Sequence, residues 1–216
     1  MDNKIVHNFC ESRLNNNESP EILNAFTSFF ISIIPFIFGF PENIYLYNSS
    51  ILLIYNGLSS FYYHYYLNYI GKQADEISMI ITVYFAIFGL INLKFKKFTS
   101  IRKKYYTYNL IFMISFIIFN TEIYFDFLFP YIFSIYIIPI IYLIHIISKN
   151  HDISYLKELF ISFIGVISWI VSEINCNEYT KYGHILWHIF FPLGFYKIIL
   201  KIDEINRYKK NNFIKL

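Results

Sequence analysis

The chain has 216 residues, of which 56% are hydrophobic, 22% aromatic and only 15% charged, a balance outside the range of a soluble globular domain. The formal net charge of +3 is too small to suggest nucleic-acid binding, and the basic residues cluster beside apolar segments, where they set orientation. A multi-pass membrane protein is the class that remains.

The first two dozen residues are polar and mixed in charge, with no basic start followed by an apolar core and a small-residue cleavage site, so no cleaved signal is expected. The heavy use of Ile, Phe, Tyr, Asn and Lys is what an AT-biased genome produces, and a run such as "NNN" at 15–17 therefore carries little functional information. Crossing the hydrocarbon core takes about 20 apolar residues as helix. Seven stretches qualify. The first follows "ESPE", where Ser19 can cap and Pro20 takes the first helical position, and it runs to about Phe40. The second covers about Ile44 to Tyr66, and the third Ala74 to Leu93. A fourth, diluted at its start by Tyr and Thr, covers about Tyr105 to Asn120. The fifth follows "TEIYFD" and extends to about Ile147, with Pro130 and Pro139 tolerated as kinks. The sixth and seventh cover about Ile153 to Val171 and Gly183 to Leu200. The expected fold is all-α: one seven-span helix bundle over residues 1–216, with an N-terminal segment at 1–19 and a basic tail at 202–216.

Orientation follows from Lys and Arg in short connections, which stay cytoplasmic. The connection between the third and fourth stretches holds Lys94, Lys96, Lys97, Arg102, Lys103 and Lys104, and the tail holds Lys201, Arg207, Lys209, Lys210 and Lys215. The other side receives Lys72 alone in one turn and Lys181 alone in another. The N-terminus is thus expected on the lumenal or external side and the tail in the cytosol.

Polar side chains recur at one depth. Ser60 and His64 are four apart and share a helix face near the external end of the second stretch. Asp75 stands at the external start of the third, and His184 and His188, again four apart, at the external start of the seventh. Exposing such groups to lipid costs several kcal/mol, so they are expected to face the interior and meet. His145 and Asp126 read as structural. Three imidazoles with a carboxylate and a hydroxyl suit zinc with an open fourth position, where the metal brings the pKa of water down to about 7. The plainer alternative is that each histidine bonds a backbone carbonyl or joins the aromatic belt of Tyr62, Tyr63, Tyr65 and Tyr66.

The pattern Ser60, His64, Asp75, closed by His184 and His188, resembles the seven-span alkaline ceramidases and the wider hydrolase-like superfamily that includes the progestin and adiponectin receptors. The strings "NFCE", "PEILNAFTS", "ADEISM", "WIVSEINC" and "HILWHI" narrow the resemblance to the ceramidase branch. It implies a zinc-dependent amidase that cleaves the N-acyl bond of ceramide to a sphingoid base and a fatty acid. His64, His184 and His188 would bind zinc, Asp75 would orient or deprotonate water, and Ser60 would assist zinc coordination or the oxyanion. A receptor with a structural zinc is the alternative, and an assembly factor for lipid-anchored proteins ranks below it. The resemblance further implies a calcium site, whose counterpart here would involve Asn8, Phe9, Glu11 and Glu21. Asn8 stands where an aspartate is usual, Arg13 falls near an expected asparagine, and the segment is one residue short, so that one of Asn15 to Asn17 would have to substitute; an acidic solvated tail is the other reading. Cys10 and Cys176 fall on the same expected side and lie where the family carries a linked pair, which implies a disulfide, against the alternative of two buried free thiols. The expected partners are the lipid substrate and the bilayer, with no obligate protein partner, and the expected location is the endoplasmic reticulum or Golgi membrane.

Overall fold

The computed structural model describes residues 9–16, 20–94, 100–120 and 129–213. Asn8, Asn17, Ser19, Lys96, Lys97, Asp126 and Lys215 lie outside them. Among the described residues the structure is helical, with no strand: α1 (Cys10–Leu14), α2 (Ile22–Phe38), α3 (Ile44–Tyr66), α4 (Tyr69–Lys94), α5 (Ser100–Asn120), α6 (Phe129–His151), α7 (Leu156–Ile174) and α8 (Gly183–Phe213), the last entered through a 3₁₀ turn at Thr180–Tyr182. Helices α2 to α8 fall on the seven apolar stretches. Three segments, α4, α6 and Thr180–Glu204, are long and apolar enough to cross a membrane. Helix α2 is apolar but has 17 residues; α3 is diluted by Asn and Ser, α5 by Arg and Lys, and α7 by Lys157, Glu158 and Glu173.

Two boundaries differ from the expected ones. Helix α4 begins at Tyr69, because Asn68 accepts the Gly71 amide on its side-chain oxygen at 2.7 Å and so caps the new helix. Leu67, with φ of 45°, makes the turn from α3. Lys72 therefore sits in the first turn of a helix, buried, with its ammonium 3.7 Å from Glu76, and is not a lysine of a loop. Helix α2 begins at Ile22 rather than Pro20, and its free amides are taken from a distance: Glu11 accepts Leu23 N–H at 2.8 Å and Asn24 N–H at 2.9 Å, a carboxylate at the positive end of a helix.

The chain forms two compact units. The first comprises 1–39, 53–78 and 155–198. In it α2 buries Asn24, Ala25, Ser28, Ile31, Ser32, Ile34 and Pro35, a stripe at helical spacing that is rich in small residues. Gly57 of α3 meets this stripe so closely that a Cβ there would lie 2.6 Å from Ser32 N and 2.7 Å from Ser28 O. Only hydrogen fits, and the contact is fastened by Ser32 Oγ, which donates to Ile54 O at 2.7 Å. The α7–α8 contact repeats the device: a Cβ on Gly194 would overlap Ser162 and the Glu158 carbonyl, and Ser162 Oγ donates to Phe191 O at 3.1 Å. Without a hydrophobic drive between helices in lipid, small residues and interhelical hydrogen bonds supply the attraction. The N-terminal segment is tied to the end of α7 by a Cys10–Cys176 disulfide with Cα atoms 5.2 Å apart and by Arg13, which donates to the Glu173 carbonyl at 2.9 Å and its carboxylate at 3.2 Å.

The second unit comprises 40–52, 79–154 and 199–216. Its core is aliphatic and aromatic, with Leu46, Ile80, Leu90, Ile140, Ile144 and Tyr136 buried. Asp203 of α8 accepts the Asn43 amide at 3.1 Å ahead of α3, and Ser49 Oγ donates to Thr82 O at 2.8 Å. Outside both cores, Phe36, Ile138 and Phe160 are among many exposed large apolar side chains, surface that water penalises and lipid accommodates.

Candidate metal centre

The five expected site residues all belong to the first unit and all are buried: Ser60 and His64 on α3, Asp75 on α4, His184 and His188 on α8. The three histidines meet. Their ring centroids lie 4.9 Å (64 to 184), 5.2 Å (64 to 188) and 4.6 Å (184 to 188) apart, and one nitrogen from each lies within 4.8 Å of the others. Four-residue spacing on α3 and α8 puts each polar pair on one face, and the Gly57 and Gly194 contacts bring those faces in.

Their outer partners decide which nitrogen each ring has free. His64 Nδ1 meets Glu21 Oε2 at 2.6 Å. A carboxylate there calls for a proton on Nδ1 and leaves Nε2 as a lone pair. His188 Nδ1 lies 3.1 Å from Thr27 Oγ1, whose own proton goes to Leu23 O at 2.8 Å. Thr27 is therefore the acceptor, and Nε2 of His188 is again the bare nitrogen; the tautomers follow from the hydrogen-bond network. The Glu173 carboxylate stands 3.9 Å from His184 Nδ1, beyond hydrogen-bond length but on the same outer side. The Phe9 ring closes the group, with its centroid 4.5 Å from His184 and 5.2 Å from His64. Three converging imidazoles, two of them with Nδ1 held on the outer side and the third with a carboxylate nearby, are a donor set that zinc accepts.

Ser60 and Asp75 adjoin this group. Ser60 receives the Ser28 hydroxyl at 3.1 Å, and the Asp75 carboxylate lies beside Ser60 and His184. The amide of Asn56 donates to Asp75 Oδ1 at 2.9 Å.

Of the residues expected at the calcium site, Phe9, Glu11 and Glu21 are described, and their contacts lie within the protein. The Phe9 carbonyl accepts Arg13 N–H at 2.9 Å and Ser12 Oγ at 3.0 Å, and both Glu11 oxygens cap α2. Glu21 gives one oxygen to His64, and only its Oε1 is left buried with no hydrogen-bond partner.

Sequence reasoning missed Glu21 and Thr27 as partners of the histidines, the Phe9 ring as their cover, and Asn56. Of these only Asn56 had a signal, as the third polar residue of the stripe Asn56, Ser60, His64. The others depend on contacts between segments far apart in the chain.

No curated protein matches the chain. The Ceramidase family model does match it, over residues 5–213. With nearly the whole length covered, and with the buried histidines, serine and aspartate assembled inside the matched region, the chain belongs to the ceramidase family, whose members are hydrolases acting on ceramide.

Proposed function

We propose that this chain is a zinc-dependent amidase of the membrane that hydrolyses the N-acyl bond of ceramide, releasing a sphingoid base and a fatty acid. The observation that carries the reading is the convergence of His64, His184 and His188, with Nδ1 of His64 and His188 engaged on the outside. These three would hold the ion, which when bound supplies a Lewis acid that polarises a carbonyl and acidifies water. Asp75 is the general base: it accepts the proton of the attacking water and passes it to the departing amine nitrogen. The Ser60 hydroxyl turns its hydrogen bond toward the oxygen on which negative charge develops. The amide C–N bond breaks, water contributes its oxygen and one proton to the acid, and its second proton ends on the amine. The chain is an integral protein of the endoplasmic reticulum or Golgi membrane, with the N-terminus lumenal and the site near that side.

Turnover of a panel of ceramides by purified protein, with zinc measured in the same samples, tests this. Wild type carries one zinc per chain and releases fatty acid; a chelator abolishes release, and His184→Ala with His188→Ala carries no zinc. Asp75→Asn and Ser60→Ala keep the metal and lose about 10²- to 10⁴-fold in turnover. Zinc-loaded wild type that hydrolyses no ceramide would favour a seven-span receptor with a structural metal.

A further inference from the structure

Asn56 lies one helical turn before Ser60 and two before His64, so the three share a face of α3. Its Nδ2 donates to Asp75 Oδ1 at 2.9 Å, and stands 3.3 Å from the Asp75 carbonyl and 2.9 Å from Ser78 Oγ. Ser78 Oγ in turn donates to the Asp75 carbonyl at 2.7 Å. Ser59 completes the group, 3.1 Å from Ser78 Oγ and donating to the Asn56 carbonyl at 3.0 Å. All these side chains are buried. A carboxylate and a carbonyl only accept, so the amide nitrogen, not its oxygen, must face α4.

Nothing in the packing of two apolar helices calls for an amide at this position. An aliphatic side chain of the same size would fill the space without the desolvation cost that a buried amide carries. What the amide does that an aliphatic chain cannot is hold one oxygen of the Asp75 carboxylate. A carboxylate can rotate about its last bond, and each orientation presents different lone pairs. The Asn56 amide, donating to Oδ1 at 2.9 Å, removes that freedom.

We propose that Asn56 is a positioning residue for hydrolysis: its amide pins Asp75 Oδ1, so that the other carboxylate oxygen is presented to the water whose proton it takes. This rests on the reading of Asp75 as the general base. The amide nitrogen bonds Asp75 and Ser78 and none of the three histidines, and it acts through Asp75. Ser78 and Ser59 hold the amide and the α4 backbone, and their effects are correspondingly smaller.

The test is a double-mutant cycle on ceramide hydrolysis with Asn56→Leu, Asp75→Asn and the two together, zinc content being measured in each. The expected result for Asn56→Leu is a kcat lower by about 10- to 100-fold, the scale of a misplaced catalytic group, with KM and zinc content unchanged. In the Asp75→Asn background the same substitution costs nothing further. Asn56→Ser, which stays polar but is too short to reach Asp75, is the second variant should leucine disturb folding, and it shows the same kcat loss. Wild-type kcat in either variant overturns the proposal, as does a loss of zinc that accounts for the loss of activity, or an Asn56 penalty that persists undiminished when Asp75 is already changed. Full activity in Asp75→Asn would instead remove the base assignment itself, a separate result from an inactive Asp75→Asn beside an unaffected Asn56→Leu.

Discussion

Glu21 gives one carboxylate oxygen to His64 and is fully buried, so its effect on metal binding passes through the orientation and basicity of that ring. Removal of such an outer partner costs about 10- to 100-fold in metal affinity. Glu21→Ala is expected to show that loss in a competition titration against a chromophoric zinc chelator, and Glu21→Gln, which keeps an acceptor, a smaller one. Unchanged affinity in Glu21→Ala would mean that His64 needs no outer partner. At this scale the sequence was readable where the signal is local. Ser60 with His64 and His184 with His188 each declare a face by their four-residue spacing. Glu21 entered the sequence reading only through the calcium site that the resemblance implies, because a linear pattern does not show which donor a carboxylate oxygen meets. That donor belongs to a residue 43 positions away.

Among the elements, the contact of α2 with α3 is set by Gly57 against Ser28 and Ser32. Gly57→Val would have to part the two helices, since besides the Ser32 hydroxyl the atoms in its way, Ser32 N and Ser28 O, are backbone and cannot swing aside. An overpacked contact of this kind costs about 1–3 kcal/mol, and the same displacement moves Ser28 and Thr27 away from Ser60 and His188. Thermal unfolding in detergent should fall accordingly, with turnover falling further than stability alone accounts for; Ser32→Ala, which loses only one hydrogen bond to Ile54, should cost about 1 kcal/mol. The disulfide acts at the same scale. It closes a loop with a sequence separation of 166, for which chain entropy alone gives more than the ~4.7 kcal/mol of a 100-residue loop. Helices already confined to a bilayer keep part of that order when tertiary contacts break, so the realised effect is smaller. Cys176→Ser is expected to lower the unfolding temperature and to loosen Arg13 from the end of α7 and Phe9 from His184; a protein equally stable with and without reductant would contradict this. Helix existence was legible from apolar length. The start of α2 and of α4 was not, because Glu11 and Asn68 displace the caps that a linear reading prefers.

For the whole chain, the imbalance of basic residues is the observation from which the orientation is predicted. Burial of Lys72 against Glu76 takes that lysine out of the connection expected on the N-terminal side, which sharpens the contrast with the basic connection after α4 and the tail. A tag on the C-terminus is expected to be open to antibody or protease on the cytosolic face of intact microsomes, and one on the N-terminus only after permeabilisation. The reverse pattern would invert the topology and place the Cys10–Cys176 pair in a reducing compartment, where such bridges are rare.

The sequence by itself determined the class, the helices and the ceramidase resemblance. Apolar length and residue spacing are properties of neighbours along the chain, and physics acts on them locally: a run of about 20 apolar residues has few alternatives to a membrane helix. It also singled out the five polar residues, because each is costly in an apolar helix and so stands out in any reading. Only the tertiary structure decided what those residues are attached to. Glu21 on His64, Thr27 on His188, Asn56 on Asp75 and Phe9 over His184 are meetings between segments separated by up to 175 positions. Such meetings depend on how closely α2 approaches α3 and α7 approaches α8, and a glycine's missing side chain is visible in the sequence only as a glycine.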